Sequence, residues 1–191
     1  MIEIVDYKPS WIEEFLEIGV KIRTALGARA FAIHHIGSTS VPNLAAKDVI
    51  DVQITVANLE PSVLKPLLEN AGFVWRDDFI HDHTPPGLAL PESELVKHFA
   101  ALNFEGSRRA NVHIRLEGRF NQRYPLLCRD YLRTHDSAMH AYTQIKRQLA
   151  RYFPENIEAY YDIKDPVFDV IMSGANDWAQ VSGWQPPSTD I

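Results

Sequence analysis

The stretch Ile50-Asp51-Val52-Gln53-Ile54-Thr55-Val56 decides the fold. Its apolar side chains alternate with Asp51, Gln53 and Thr55. A period of two gives a strand with one apolar and one polar face. A second stretch repeats the pattern: Val112, Ile114 and Leu116 alternate with Asn111, His113, Arg115 and Glu117. Strands in a helix-flanked sheet bury both faces, so the polar residues need partners or a function.

Outward from these strands the period changes. Trp11, Phe15, Ile18, Ile22 and Leu26 recur at helical spacing, with Ser10 and Glu13 as a capping-box pair and Gly27 as the stop. A strand over Phe31–His35 follows and runs into Gly37-Ser38-Thr39-Ser40. A helix over 60–71, a strand near Phe73–Arg76, a polar loop over 77–94 and a strand near Leu95–Leu102 come next. The rest is helical: one helix ending in Arg129–Arg133, with Pro125 in its first turn or kinking it, then one capped by Asp136. The apolar stripe of that second helix is Ala138, Tyr142, Ile145, Leu149 and Phe153. A last helix covers about Glu155–Met172, with breaks at Asp165-Pro166, and Gly183–Ile191 reads as a mobile tail. The expected fold class is α/β (α+β), a mixed sheet flanked by helices with a helical C-terminal part. The expected division is a single domain over 1–175 and a tail over 176–191.

Composition narrows the function classes. The chain has 191 residues, 46% hydrophobic and 23% charged, which fits a soluble globular domain. No apolar run is long enough to cross a membrane, and the first residues lack a secretory pattern. One cysteine, Cys128, excludes an internal disulfide and fits a cytoplasmic location. The net charge of −6 argues against nucleic acid as a partner. The charge is uneven: residues 1–100 carry 8 Lys/Arg against 14 Asp/Glu, residues 108–151 carry 10 against 3. A basic stretch in an acidic protein suggests a focused site for an anion, or helix surfaces that carry Arg for solubility.

Chemistry-bearing residues gather near the strands. A glycine and hydroxyls at 37–40 can turn backbone N–H groups toward an anion, or simply make a turn. Asp51 and Gln53 project in parallel and can hold a hard cation. His113 on the neighbouring polar face can share their cleft, with Arg108, Arg109 and Arg115 supplying positive charge for phosphates. His81-Asp82-His83 can chelate zinc or form a solvated loop, and a metal hydrolase on His81, His83 and His113 is one further reading. Neither a Gly-x-Ser-x-Gly elbow nor a Walker-type Gly-Lys-Ser/Thr occurs.

The block His35-Ile36-Gly37-Ser38-Thr39-Ser40-Val41-Pro42-Asn43-Leu44-Ala45-Ala46-Lys47, followed by Val49-Ile50-Asp51-Val52, resembles the signature of the GrpB (UPF0157-type) family of small bacterial proteins. The likeness continues in Tyr7-Lys8-Pro9-Ser10-Trp11, Asn111-Val112-His113-Ile114, Arg129–Arg133 and Tyr142-Thr143-Gln144-Ile145-Lys146. That family is similar to the nucleotidyltransferase superfamily related to DNA polymerase beta. The resemblance implies a nucleotidyltransferase-like fold and metal-dependent transfer of a nucleoside monophosphate from a nucleoside triphosphate to a small-molecule acceptor. It implies Asp51 and His113 as catalytic groups, and Asp51, Gln53 and His113 around Mg²⁺ or Mn²⁺. Gly37, Ser38, Thr39, Lys47, Arg109, Arg129, Arg133 and Lys146 would bind the nucleotide. Some relatives are fused to dephospho-CoA kinase. The chain departs from the superfamily's Asp-x-Asp: Gln53 replaces the second acid, and His113 stands in the third acid's place. Asp48 stands where the family usually has Pro, on the opposite strand face. The rival reading is a catalytically degenerate nucleotide-binding or interaction protein of the same fold.

Overall fold

The computed structural model describes every residue except 104, 105 and 107. Helix α1 (Ser10–Leu26) leads to strand β1 (Ala30–Ile36), then β2 (Ile50–Val56), α2 (Pro61–Asn70), β3 (Val74–Trp75), β4 (Lys97–Leu102) and β5 (Ala110–Leu116). Three helices follow: α3 (Phe120–Thr134), α4 (Asp136–Tyr152) and α5 (Ile157–Ser182). The five strands form one mixed sheet in the order β1-β2-β5-β4-β3. The two alternating strands lie side by side at its centre and are parallel, whereas the other pairings are antiparallel. The fold is therefore α/β with a helical C-terminal part.

Register explains why two-faced strands suit this sheet. Gln53 sits opposite His34 on β1 and His113 on β5, and His113 sits opposite Phe99 on β4. One sheet face is thus apolar across the strands and packs on α1 and α2, where Trp11, Phe15, Ile18, Ile22, Leu64 and Leu68 join Ile50, Val52, Ile54, Val112 and Ile114. The other face carries Asp51, Gln53, Asn111, His113 and Arg115. A second apolar cluster lies beyond it, including Leu44, Leu127, Leu132, Tyr142, Met172 and Ala175.

Several expectations change. Ser10 does not cap α1: it is the first helical residue, and its hydroxyl donates to Glu14. Asp136 is likewise inside α4 rather than capping it. The buried stripe of α4 runs through Met139, Tyr142, Thr143, Lys146 and Leu149, so Lys146 points inward where hydropathy alone turned it out. Pro125 lies at the sixth position of α3, and α5 passes through Pro166 and continues ten residues beyond Met172. α3 packs on β1, β5 and α5, and α5 on α3 and α4, and this packing holds both helices across a lost hydrogen bond each.

Residues 187–191, expected to be mobile, lie along the free edge of β1. The Asp190 N–H donates to the Ile33 carbonyl (3.0 Å), and the Asp190 carboxylate accepts from the His35 N–H (2.9 Å) and from Arg129 (2.7 Å). The Ile191 side chain fills space left by Gly19 on α1. An edge strand presents unpaired backbone groups, and this segment pairs part of them. Replacing Asp190 with Ala removes a charged acceptor from the buried Arg129, whose side chain is only 2% exposed. Hydrogen bonds to charged groups contribute about 1.5–3 kcal/mol. Asp190→Ala is expected to lose stability in that range by urea unfolding, and a change below about 0.5 kcal/mol would show that the segment is not docked.

Candidate functional site

Gly37 ends β1 in the left-handed region, at φ 70°. A methyl group there would overlap the Asp51 carboxylate, so only glycine allows the turn and Asp51 to touch. Arg133 fixes the turn from behind, donating to the Ser40 carbonyl at 3.0 and 2.7 Å. Thr39 turns inward, where its hydroxyl lies 3.0 Å from His35 Nε2. Ser40 donates to the Gly37 carbonyl at 2.6 Å. Of the three hydroxyls at 38–40, that of Ser38 is the one that meets a side chain from the helical part: Lys146 Nζ lies 2.9 Å away.

Asp51 lies between Ile36 and Asn111 in the sheet, and the Asn111 amide donates to it at 2.9 Å. Burial pushes its carboxyl up from the usual range. The Asn111 hydrogen bond and the charges of Lys164, Lys47 and Arg115 only partly oppose this. Gln53 is fully buried and committed at both ends: Arg115 donates to its oxygen at 2.8 Å, and its nitrogen donates to the Gln122 carbonyl at 2.9 Å. His113 has Lys97 Nζ and Arg115 Nη2 each 3.4 Å from Nδ1. Burial, then these two cations, hold its imidazole well below the usual range, so it is neutral.

Asp82 organises the polar face. It accepts from Lys97 (2.6 Å), twice from Arg115 (2.8 Å each) and from Asn121 (3.0 Å). Burial works to raise its carboxyl, but Arg115 and Lys97 prevail and hold it far below the carboxylate range. Its two flanking histidines turn to separate carboxylates, His81 to Glu92 (3.0 Å) and His83 to Asp169 (3.3 Å). Among the described residues no group of three or more His, Cys, Asp or Glu side chains gathers to hold a metal. The histidine-based hydrolase therefore has no converging ligand set.

A cavity of about 820 Å³ opens between the sheet's polar face and the helical part. Gly37, Ser38, Thr39, Lys47, Asp51, Arg109, His113, Arg129 and Lys146 all line it. Gln53 and Arg133 lie outside the lining, tied into the framework. Arg129 reaches the cavity wall but spends its donors on the His35 carbonyl, Asp130 and Asp190. Lys47 donates to the Tyr161 hydroxyl (2.8 Å) and stands over the Tyr160 and Tyr161 rings, 4.6 and 4.2 Å from their centroids. Lys146 is buried, and among the described residues neither Lys47 nor Lys146 has a carboxylate within ion-pair distance. Lys164 and Tyr160 on α5, and Asp82, also line the cavity and were missed. The i, i+4 spacing of Tyr160, Lys164 and Phe168 was the available signal for the α5 face.

This donor set does not fit a two-metal centre. Of the three expected ligands only Asp51 is a carboxylate; the Gln53 oxygen is occupied; the His113 Nδ1 faces two cations, which repel a third; and the other acids on the cavity wall, Asp82 and Asp165, are already paired with Lys97 and Arg115 and with Lys164. The Asp48 carboxylate, expected on the opposite strand face, accepts from Lys8, Trp11 and Arg108 instead.

Comparison with known proteins follows this geometry. The family described as "GrpB protein" matches residues 1–173. The chain is 34% identical to a dephospho-CoA kinase of Mycolicibacterium paratuberculosis, covering 97% of this chain and 48% of that protein. It is 32% identical to the UPF0157 protein YqkA of Bacillus subtilis, over 93% of this chain and 48% of that one. The chain thus spans about half the length of these two relatives. A third relative, UPF0157 protein BH1888 of Halalkalibacterium halodurans, is 30% identical over 92% of this chain and 83% of its own. The crystal structure of the conserved protein GrpB from Enterococcus faecalis superposes with a TM-score of 0.76 at 29% identity, covering 93% of this chain and 99% of that one.

The state of Asp51 is testable. A raised native pKa means that the folded chain holds this proton more tightly than the unfolded chain. Ionisation of Asp51 therefore subtracts stability as pH rises through the carboxylate range, and the loss persists at neutral pH. Asp51→Asn keeps the shape and an acceptor for Asn111. It is expected to raise stability by about 0.5–2 kcal/mol at pH 7, with the gain shrinking as pH falls below the native pKa. A destabilised Asp51→Asn at pH 7 would mean that the charge is needed to hold the site together.

Proposed function

The chain belongs to the GrpB family, and we propose that its cavity binds a nucleoside triphosphate and supports transfer of a nucleoside monophosphate to a small-molecule acceptor. The observation that carries this reading is the convergence of Lys47, Arg109, Lys146 and Lys164 on one cavity beside the Gly37-Ser38 turn. The volume suits a ligand of nucleotide size, since small-molecule sites run from about 300 to 1,000 Å³. Among the described residues Lys47 and Lys146 face the cavity without a carboxylate partner, Lys164 has only its neighbour Asp165, and such an excess of cations favours a polyanionic ligand over a neutral one. Tyr160 and Tyr161 offer flat apolar surface beside the cations, which suits a base or sugar.

The kinase name of several relatives belongs to proteins about twice this length. This chain has no Walker-type Gly-Lys-Ser/Thr to cradle a phosphate donor in that manner, so the kinase name is not carried over to it. The choice of transfer over hydrolysis rests on the resemblance of the Gly37-Ser38 turn and the Asp51 strand to those of nucleotidyltransferases. The second reading, binding without transfer, is favoured by one observation: the amide at Gln53, where the superfamily has an acid, is fully used by Arg115 and Gln122.

Binding and transfer separate in one experiment. Adding ATP, GTP, CTP or UTP at millimolar concentration, with and without Mg²⁺ or Mn²⁺, is expected to raise the melting temperature by mass action on the native state. A nucleotide 100-fold above its Kd adds about 2.7 kcal/mol. Lys47→Ala, which removes a cavity cation from the surface of the site, is expected to reduce that shift. The same tubes, given α-labelled nucleotide and a panel of small hydroxyl acceptors, report transfer. A shift without transfer supports the binding-only reading; no shift with any of the four removes both.

A further inference from the structure

Resting on the nucleotide reading, we propose that Ser38 is a covalent nucleophile that takes up the nucleoside monophosphate, with Lys146 as its general base. The geometry is local and complete. Lys146 Nζ lies 2.9 Å from Ser38 Oγ and also bonds the Ala45 carbonyl, which fixes it behind the turn. A neutral amine has two donors and one lone pair: one hydrogen serves Ala45, and the lone pair accepts from the Ser38 hydroxyl. Both residues line the cavity, with the Tyr142 hydroxyl beside Ser38 and its ring 4.4 Å below the Lys146 nitrogen. Thr39 and Ser40 cannot substitute, because their hydroxyls are spent on His35 and on the Gly37 carbonyl.

The charges facing Lys146 come from four elements. Burial acts first to lower its pKa, and Lys164 on α5 and Arg147 on its own helix act with it. Asp51 on β2 and the Cys128 thiol on α3 oppose them, and the net is a fall to about 7. Near neutrality a large share of Lys146 is then the free amine, the form a base requires. Lys47, Arg109 and Lys164 remain to meet the phosphates. This chemistry also answers the misfit at Gln53. Where a two-metal site would activate the acceptor oxygen, a serine–lysine pair can form the nucleophile without a second carboxylate.

In the step, Ser38 Oγ attacks the α-phosphorus of the bound nucleoside triphosphate and an O–P bond forms. The bond from that phosphorus to the bridging oxygen breaks, and its electron pair leaves with pyrophosphate. The Ser38 proton passes to Lys146 Nζ and from the ammonium to the pyrophosphate. The products are a Ser38 nucleoside monophosphate ester and pyrophosphate. An acceptor hydroxyl then attacks the same phosphorus while the regenerated Lys146 amine takes its proton; the Ser38 Oγ–P bond breaks, and the Lys146 ammonium returns the proton to Ser38 Oγ.

The test uses a probe that needs no nucleotide. The full chain is treated with diisopropyl fluorophosphate, followed by intact mass and peptide mapping. Adduct on Ser38 is expected, absent in Ser38→Ala and slowed about 100-fold in Lys146→Met. In the unmodified chain the rate should rise about tenfold from pH 6 to pH 8 as Lys146 loses its proton. That profile stands even if Lys146→Met does not fold. In parallel, α-labelled nucleotide should leave acid-stable label on Ser38. A melting shift with nucleotide but no adduct from either reagent overturns the covalent step and leaves the nucleotide reading intact. A fluorophosphate adduct on Ser38 with no nucleotide shift overturns the nucleotide donor and so the proposal as stated. A rate that falls as pH rises through about 7 would show Lys146 acting as a cation, and would also overturn it.

Discussion

The inner face of the sheet is polar and largely buried, and the rest of the structure is arranged to satisfy it. Gln53 and Arg115 are covered, while Asp51, Asp82, Asn111 and His113 border the cavity. The Asp82 carboxylate is the hub: it neutralises Lys97 and Arg115, and Arg115 in turn holds Gln53, which holds the backbone of α3. Burying such a network stabilises little by itself, because desolvation offsets the Coulomb gain. Breaking one member is costly, since every remaining partner is left charged or unpaired without water. Among the described residues only three buried side-chain atoms lack a partner: His34 Nδ1, Thr55 Oγ1 and Asn121 Oδ1. The network therefore acts as a positional lock. It sets β5 against β2 in register and anchors the loop that carries Asp82, and the cavity wall follows from both.

That lock divides the basic residues into two groups. The excess over residues 108–151 suggested a focused anion site, yet most of it is spent internally. Arg108 pairs with Glu14 and Asp48, Arg115 with Asp82, Arg119 with Glu94, Arg129 with Asp130 and Asp190, and Arg147 with Asp6. The acid-rich first hundred residues and the basic later segment are the two halves of one folded ion-pair system. Lys47 and Lys146, which among the described residues face the cavity without a carboxylate partner, come from scattered positions, and Lys164, paired with Asp165, faces it beside them. Charge density along the chain pointed to the right chemistry for an indirect reason.

The strands were legible because their signal is local. Period two in residues 50–56 and 111–117 states which side chains share a face, and backbone pairing then brings Asp51, Gln53, Asn111 and His113 onto one surface. The Gly37 turn was legible as well, since its glycine answers a contact with Asp51 only fourteen residues along the chain. What could not be read depends on partners far along the chain. Asp82 meets Arg115 across 33 residues, Lys146 meets Ser38 across 108, and His35 meets Asp190 across 155. No spacing rule reports such pairs. Lys146 shows the cost of relying on hydropathy: the apolar stripe put Ile145 inward, whereas the helix turns Lys146 to the buried side because Ser38 and Ala45 supply its partners.

The cavity's two most informative groups lean the same way. Burial pushes the Asp51 carboxyl up and the Lys146 ammonium down, and in each case desolvation is the largest cause. Asp51 works against the shift at Lys146, and Lys164, Lys47 and Arg115 work against the shift at Asp51, without prevailing. A site in which acid and base both drift toward neutrality has low field of its own, so the charge it adopts is set by what enters. A polyanion beside Lys47 and Lys164 lowers the local positive potential, which eases protonation at Lys146 and resists ionisation at Asp51. A hydroxyl entering near Ser38 changes neither charge and leaves the Lys146 amine free to accept a proton. Lys146 therefore reaches its free-amine form at a higher pH with nucleotide bound than in the empty site, and the transfer step follows that higher pH.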